Sequence, residues 1–325
     1  MRISIVCPVY DTPPHLLAAA AFSVLGDPSA VIGQLVLVDD GSRREDTLRS
    51  LEAIAGSDPR VTMLRAPHNL GPAGARNLGL LAAREEWIGF LDSDDAWLPD
   101  HASRLGRLAA QHPEASWIGA GHRLASPEGS SVAAPRLDCP CAQRIGPGLL
   151  RCGGPALTRV LLGGFHLHLG AMVVRRGLAA AVGGFAEGLG RFEDLLFTAK
   201  LSRRAPLFYL DADAYRWRRG EGRAADLRRP DPALRMHAIA AREPELRPFG
   251  RELRRARHGA LRGLALDTLI AGRRRQALAL ALRGWTSDPR EIPDLLRFLR
   301  LWLPLRREGG LAASGALDLA FRRSR

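Results

Sequence analysis

Asp92, Asp94 and Asp95 crowd together at the end of an apolar run, and that crowding sets the chemistry to look for. Carboxylates this close repel one another unless protons or a cation neutralise them. Mg²⁺ or Mn²⁺, held by one or two carboxylates and by diphosphate oxygens, is a common neutraliser and stabilises a departing phosphate. Taken alone, an acidic cluster reads as readily as a solvated turn or a helix cap. It does not stand alone here. Asp39-Asp40-Gly41-Ser42 closes a second apolar run, and Glu193-Asp194 opens a helical pattern. A carboxylate at a helix start complements the macrodipole, and it can also serve as a general base.

The elements that must position these groups can be read from the apolar periodicity. It predicts strands over 3–9, 34–38, 61–64 and 87–91, alternating with helices over 14–25, 44–55 and 73–83. That alternation is the mark of a parallel sheet flanked by helices. In open α/β sheets ligands sit at the carboxyl ends of the strands. Those ends carry Pro8-Val9-Tyr10, Asp39-Asp40-Gly41-Ser42 and Asp92-Ser93-Asp94-Asp95, so the motifs are expected to converge. Residues 126–165, rich in Gly, Pro and Ser, read as an irregular loop region that carries substrate contacts. A strand is expected over 168–175, a helix over 193–203 after Gly183-Gly184-Phe185, and a strand over 206–215. Beyond about residue 223 the pattern is helical, broken at Pro230, Pro244, Gly272, Pro289 and Pro304. Two parts are therefore expected, a catalytic domain over 1–222 and an arginine-rich helical region over 223–325.

The loop after the first strand excludes two nucleotide-binding classes. It has no Gly-x-Gly-x-x-Gly turn and no Gly-x-x-x-x-Gly-Lys-Ser/Thr motif, so dehydrogenase and P-loop kinase readings fall. A sugar nucleotidyltransferase would want a Gly-rich, basic loop where Asp11-Thr12-Pro13-Pro14 stands. A non-catalytic nucleotide-binding scaffold with an anionic partner would not need Asp40, Asp92, Asp94 and Asp194 together.

With Asn69-Leu70-Gly71-Pro72-Ala73-Gly74-Ala75-Arg76-Asn77-Leu78-Gly79 added to these motifs, the sequence resembles the family 2 glycosyltransferases. The resemblance runs through Ile3–Tyr10, Val38–Ser42, Phe90–Pro99, Gly183-Gly184-Phe185 and Phe192-Glu193-Asp194, in order over about the first 215 residues. It implies a GT-A fold, a nucleotide-binding mixed sheet flanked by helices, here with a C-terminal α-helical extension. It also implies an inverting, metal-dependent hexosyltransferase that moves a sugar from a nucleotide diphosphate sugar to a glycan or lipid-linked acceptor. Carried over by residue, it implies that Pro8, Val9 and Tyr10 line the nucleotide site, Asp40 binds the base and Arg76 supports the nucleotide or its phosphates. Asp92 would face the ribose or sugar, Asp94 and Asp95 the Mn²⁺ or Mg²⁺, and Asp194 would be the base. Glu193, Arg218 and His168 are expected at the diphosphate or acceptor. One departure stands out. Where many relatives have a His in Tyr-Arg-x-His, Tyr215-Arg216-Trp217-Arg218 ends in Arg, which cannot ligate a cation but can grip diphosphate oxygens.

Charge and composition bound the partners. The chain of 325 residues has 46% hydrophobic and 25% charged residues, ordinary for a folded protein. Its net charge of +13 is unevenly spread: residues 1–200 hold 19 basic and 20 acidic residues, and the remainder 28 basic and 14 acidic. That split points to the C-terminal region rather than to a nucleic-acid partner. Ile292, Leu295, Leu296, Leu299, Trp302 and Leu303 recur at helical spacing among Arg290, Arg297, Arg300, Arg306 and Arg307. Such a helix packs on its neighbours or lies on an anionic membrane. No signal peptide or spanning run is evident, so a cytoplasmic protein with peripheral contact at the inner face of the plasma membrane is expected. Cys139, Cys141 and Cys152 with His166 and His168 match no paired zinc-knuckle spacing, and ordinary free thiols are expected.

Overall fold

The computed structural model describes residues 1–125, 130–189, 191–218, 232–285 and 298–299. Its first half is parallel. β1 (Ile3–Val9), β2 (Ile32–Asp39), β3 (Val61–Arg65) and β4 (Trp87–Phe90) lie in the order β3-β2-β1-β4. α1 (Pro14–Leu25), α2 (Glu45–Ser57) and α3 (Gly71–Ala82) make the crossovers. β2 is buried at every position, which is why Leu35–Val38 reads as a continuous apolar run rather than an alternating one. α1 and α3 carry Pro in the first turn, where the fixed φ and the missing N–H cost nothing. α2 instead opens on Glu45 and Asp46, which complement the positive end of the helix.

The second half turns mixed. β5 (Ala96–Trp97), α4 (His101–Gln111), β6 (Trp117–Ala125) and β7 (Ser131–Ala133) are followed by β8 (Gln143–Gly146), β9 (Leu149–Cys152) and α5 (Gly154–Leu162). Then come β10 (Met172–Arg175), α6 (Arg176–Ala181), α7 (Glu193–Arg204) and β11 (Leu207–Arg218). The sheet runs β3-β2-β1-β4-β10-β6-β11-β9-β8, with β5 on β11 and β7 on β6. β10 is antiparallel to β4 and β6, and β11 is parallel to β6. One face is covered by Leu17, Val24, Leu51, Ile54 and Leu105 from α1, α2 and α4. The other is covered by Ala73, Leu157, Leu161, Ala179, Phe197 and Leu201 from α3, α5, α6 and α7.

The expected loop over 126–165 holds more structure than its composition suggests. Its described part contains β7, β8, β9 and α5, and residues 126–129 lie outside the described residues. β8 is an outer strand with mostly exposed side chains and turns back through Pro147-Gly148, so no apolar alternation announces it. β9 is set by pairing with β11, more than fifty residues away in sequence. The strand expected over 168–175 begins as a 3₁₀ turn, Leu169–Ala171, and only Met172–Arg175 is extended.

The helical region begins by packing on the sheet domain. α8 (Pro232–Ala240), the 3₁₀ turn Arg247–Phe249 and the start of α9 (Gly250–Ile270) bring Met236, Ala240, Phe249 and Leu253 against Leu162 of α5 and Leu196 and Ala199 of α7. Lys200 Nζ lies 3.6 Å from Glu243 Oε1, and Arg159 Nε 3.3 Å from Glu252 Oε1, across the same contact. α10 (Arg274–Trp285) folds back on α9, and Phe298 is buried with Leu261, Ala265 and Ala281. Apart from Leu299, the expected Ile292–Leu303 stripe lies outside the described residues, as does the boundary at 222.

Candidate active site

β1, β2 and β4 end side by side, and short polar contacts lock their loops. The Asp40 N–H donates to Val9 O at 2.8 Å, and Asp11 Oδ1 accepts from the amides of Arg43 and Arg44 at 2.6 and 2.9 Å. Asp39 is fully buried, accepting from Ser42 N at 2.8 Å and pairing with Arg65 Nε at 2.9 Å. Asp40 Oδ1 accepts from Leu70 N at 2.6 Å, which ties it to the start of α3. Burial pushes the Asp40 carboxyl up, opposed by the Leu70 and Gly71 amides. Of the residues expected to line a nucleotide, Tyr10 is 47% exposed, Pro8 is partly buried, and the Val9 side chain points into the core.

The acidic turn follows β4, closed by Asp95 N donating to Asp92 O at 3.0 Å. Asp95 is buried: its Oδ2 accepts from the Tyr215 hydroxyl at 2.7 Å and its Oδ1 from Arg218 N at 2.7 Å. Burial and the nearby Asp92 and Asp94 charges push its carboxyl up to about 8. Asp94 is partly buried, and its carbonyl accepts from Arg218 Nη1 at 3.1 Å. Arg218, expected at the diphosphate, thus grips the acidic turn from β11. Tyr215 had no local sign in the sequence, because its partner lies 120 residues away. Its ring lies so close to the 3₁₀ turn that a Cβ on Gly170 would come within 2.0 Å of it.

Ligand atoms of Asp92, Asp95 and His168 lie within 4.8 Å of one another. Asp94, expected at the metal, is outside that cluster, and His168 has joined it. The donor set fits a divalent cation: hard carboxylate oxygens are so crowded that one retains its proton near neutrality, and a cation displaces that proton. His168 is buried, which drives it well below its ordinary pKa, so the ring is neutral. Its Nδ1 accepts from Gly170 N at 3.1 Å, which leaves the ring proton on Nε2 as a donor, so the ring borders the carboxylates without offering a lone pair to a cation.

Arg76 is buried, and its two terminal nitrogens are spent within the protein. Nη2 donates to Asp92 Oδ1 and Nη1 to Glu193 Oε1, each at 2.8 Å. The family resemblance implies a role for this guanidinium at the nucleotide or its phosphates; in the structure it braces the acidic turn against α7. Burial alone would lower its pKa, but the two carboxylates outweigh that and raise it. Glu193 is likewise buried, which pushes its carboxyl up against the opposing pull of Arg76.

Asp194 is next along the first turn of α7 and is partly exposed, with Oδ1 accepting from Leu195 N at 2.7 Å. Its Oδ2 lies 3.8 Å from His166 Nδ1. His166 packs with His122, His168 and Trp217 in a cluster the sequence did not announce, with ring centroids 5.3 to 6.2 Å apart. Burial and the neighbouring His166 lower His122 to about 4. The turn at Gly183-Gly184-Phe185 is tied to α3 by Asn77, whose Oδ1 accepts from Phe185 N at 2.9 Å and whose Nδ2 donates to Phe185 O at 3.0 Å. That turn needs positive φ at Gly183 (74°) and Gly184 (64°), which only glycine adopts freely.

A parallel half-sheet ending in an acidic turn, continued by a mixed half that returns a carboxylate on a helix start, is the GT-A fold. The structure of S. aureus TarS 1–349 in complex with UDP-GlcNAc shares it, with a TM-score of 0.65 at 19% identity over 91% of this chain and 84% of that one. Residues 4–130 match the model of glycosyl transferase family 2. The succinoglycan biosynthesis protein ExoW of Rhizobium meliloti is 36% identical over 103 residues, 31% of each chain. The UDP-Glc:alpha-D-GlcNAc-diphosphoundecaprenol beta-1,3-glucosyltransferase WfgD of Escherichia coli is 38% identical over 96 residues, 30% of this chain and 36% of that one. The chain thus matches about a third of the length of these curated relatives.

Proposed function

We propose that the chain is an inverting glycosyltransferase that moves a sugar from a nucleotide diphosphate to an acceptor hydroxyl in surface polysaccharide or glycolipid assembly. The observation that carries the reading is the Arg76 brace, which makes one rigid unit of the acidic turn and the helix start bearing Asp194. The named activity of WfgD supports the reaction, the naming of ExoW for succinoglycan biosynthesis supports the glycan context, and TarS bound to UDP-GlcNAc supports a nucleotide-sugar donor.

Tyr10 stacks on the base beside Asp40, and Asp92 orients the ribose or sugar. Asp95 and Asp92, with Asp94 alongside, would hold Mn²⁺ or Mg²⁺, which would supply charge neutralisation for the leaving diphosphate. Arg218 and the Nε2–H of His168 donate to oxygens of the donor. Asp194 takes the proton of the acceptor hydroxyl as that oxygen attacks the anomeric carbon. The bond to the diphosphate breaks on the opposite side, and the anomeric centre inverts. His166, 3.8 Å from Asp194, orients the acceptor. A sugar nucleotidyltransferase is disfavoured by the loop after β1, where Asp11 is committed to the Arg43 and Arg44 amides and presents no basic phosphate grip.

Residues 1–222 form the catalytic domain in this reading, and the basic region beyond draws the enzyme to an anionic membrane face where a lipid-linked acceptor lies. Among the described residues no helix is long and apolar enough to cross a membrane. The test is nucleotide release from a panel of UDP-, GDP- and dTDP-sugars with Mn²⁺ or Mg²⁺, since slow donor hydrolysis proceeds without the acceptor. Release from one donor, dependent on the ion, supports the reading; release from none, with no nucleotide binding, overturns it.

A further inference from the structure

Three of the four cysteines converge at the hairpin edge of the sheet, on residues the proposed reaction does not use. Cys152 ends β9, while Cys139 and Cys141 stand in the segment between β7 and β8. Cys141 Sγ lies 3.0 Å from Cys139 Sγ and 2.9 Å from Cys152 Sγ, and all three sulfurs lie within 4.8 Å of one another. None is in a disulfide. His166 and His168, the other residues a zinc site would have drawn on, pack instead with His122 and Trp217.

We propose that Cys139, Cys141 and Cys152 form a structural site for a thiophilic cation of the zinc class, with solvent water in the fourth position. Thiolate sulfur selects zinc over the hard ions that carboxylate oxygens prefer. A tetrahedral zinc ion about 2.3 Å from each sulfur needs the sulfurs roughly 3.8 Å apart, so Cys141 must swing outward by less than about 1 Å. It has room: Cys141 is partly exposed at a surface groove of about 420 Å³, while Cys139 and Cys152 are buried. Three thiolates and one zinc ion carry a net negative charge, and Arg151 and Arg203 line the same groove.

The thiols themselves are poised unequally. Burial and the neighbouring thiols push Cys152 far up, and burial also raises Cys139. Burial works the same way on Cys141, but hydrogen bonds from the other two thiols outweigh it and bring it below the ordinary thiol value. Three thiolates cannot coexist there without a cation. Zinc binding exchanges the thiol protons for the ion, with protons released to solvent and no change of oxidation state. The ion would pin the segment that carries Arg136, which pairs with Asp213 at 2.7 Å and Asp211 at 3.3 Å on β11. The same segment starts with Ala134 N donating to His122 O at 2.9 Å, so the pinned segment borders the histidine cluster.

The experiment is elemental analysis of the reduced full chain dialysed against Zn²⁺, together with Co²⁺ titration followed by absorption. The expected result is one zinc per chain and a thiolate-to-cobalt charge-transfer band. Cys141→Ser, chosen because its side chain is the least packed of the three, should weaken Co²⁺ binding at least tenfold while circular dichroism stays native. Asp92→Asn/Asp95→Asn, which removes the carboxylates of the acidic turn, should leave zinc content unchanged. The proposal is overturned if the reduced chain takes up no zinc, or if Zn²⁺ leaves the reactivity of the three thiols toward Ellman's reagent unchanged. It is also overturned if zinc is lost with the acidic-turn variant and kept by Cys141→Ser.

Discussion

Arg76 and Glu193 meet at 2.8 Å across 117 residues of sequence, and through the same guanidinium Glu193 is joined to Asp92. The buried fork therefore sets the position of α7 relative to the acidic turn. A Lys ammonium is a point charge that cannot span both carboxylates. Arg76→Lys is expected to stay folded but to lose most transfer activity. Arg76→Met leaves two carboxylates without their buried partner, a loss of about 3–5 kcal/mol in unfolding free energy by denaturant titration. Wild-type stability in Arg76→Met would show that the fork does not brace the fold.

Asp95 makes the metal proposal testable by pH. Its carboxyl is raised from 3.8 to about 8, so the folded metal-free chain holds a proton there that the unfolded chain has lost. That contribution to stability is full below the unfolded value and fades as pH rises through the folded one. In the proposed reading Mn²⁺ would bind the ionised form and compete with the proton. Thermal melts in EDTA should therefore decline between pH 5 and about 8, and the gain in Tm on adding Mn²⁺ should grow over the same range. Asp95→Asn should flatten both trends. A Mn²⁺ effect that is absent, or equal at every pH, contradicts the assignment.

Tyr215 reaches Asp95 only because residue 170 has no side chain. A Cβ there would lie 2.0 Å from the ring, so Gly170→Ala must displace either the turn or the phenol. Overpacking of this kind costs roughly 1–3 kcal/mol. Gly170→Ala is expected to lower stability by that amount and to weaken Mn²⁺-dependent nucleotide binding. Tyr215→Phe, which keeps the ring and removes only the hydroxyl, should weaken nucleotide binding with a smaller loss of stability. Unchanged stability and binding in Gly170→Ala would contradict the packing described.

How much of this was legible in the sequence depends on how local each signal is. β1 and α1 fall at their expected limits, because a buried parallel strand and a proline-started helix are written in contiguous residues. β8 and β9 were not legible, since one is exposed and the other is fixed by a partner in β11. The motifs announced Asp92, Asp95, Glu193 and Asp194 as a group, and the structure brings Asp92, Asp95 and Glu193 together around Arg76 and Tyr215. They could not announce that Arg76 would be turned inward or that Tyr215 would hold Asp95, because both depend on contacts across more than a hundred residues. The clustering of His122 with His166 and His168 was hidden for the same reason.

The basic C-terminal region yields a prediction of its own. Attraction of arginines to anionic lipid is worth about 1 kcal/mol each near the surface and is screened by salt. The full chain should co-sediment with anionic vesicles at low ionic strength and be released at high. Changing Arg297, Arg300, Arg306 and Arg307 to Gln should weaken that binding. Equal binding by the substituted chain, or none by the full chain, assigns the region to packing alone.

Asp194→Asn separates proton abstraction from donor binding. The amide keeps the shape of the carboxylate but cannot take the acceptor proton, and loss of a general base typically slows a reaction by ~10²–10⁴-fold. With the donor identified by nucleotide release, donor affinity should be measured by calorimetry and transfer by single turnover in the same preparation. The expected result is unchanged donor affinity with transfer reduced by at least a hundredfold. Near-normal turnover in Asp194→Asn would contradict a role for this carboxylate as the base.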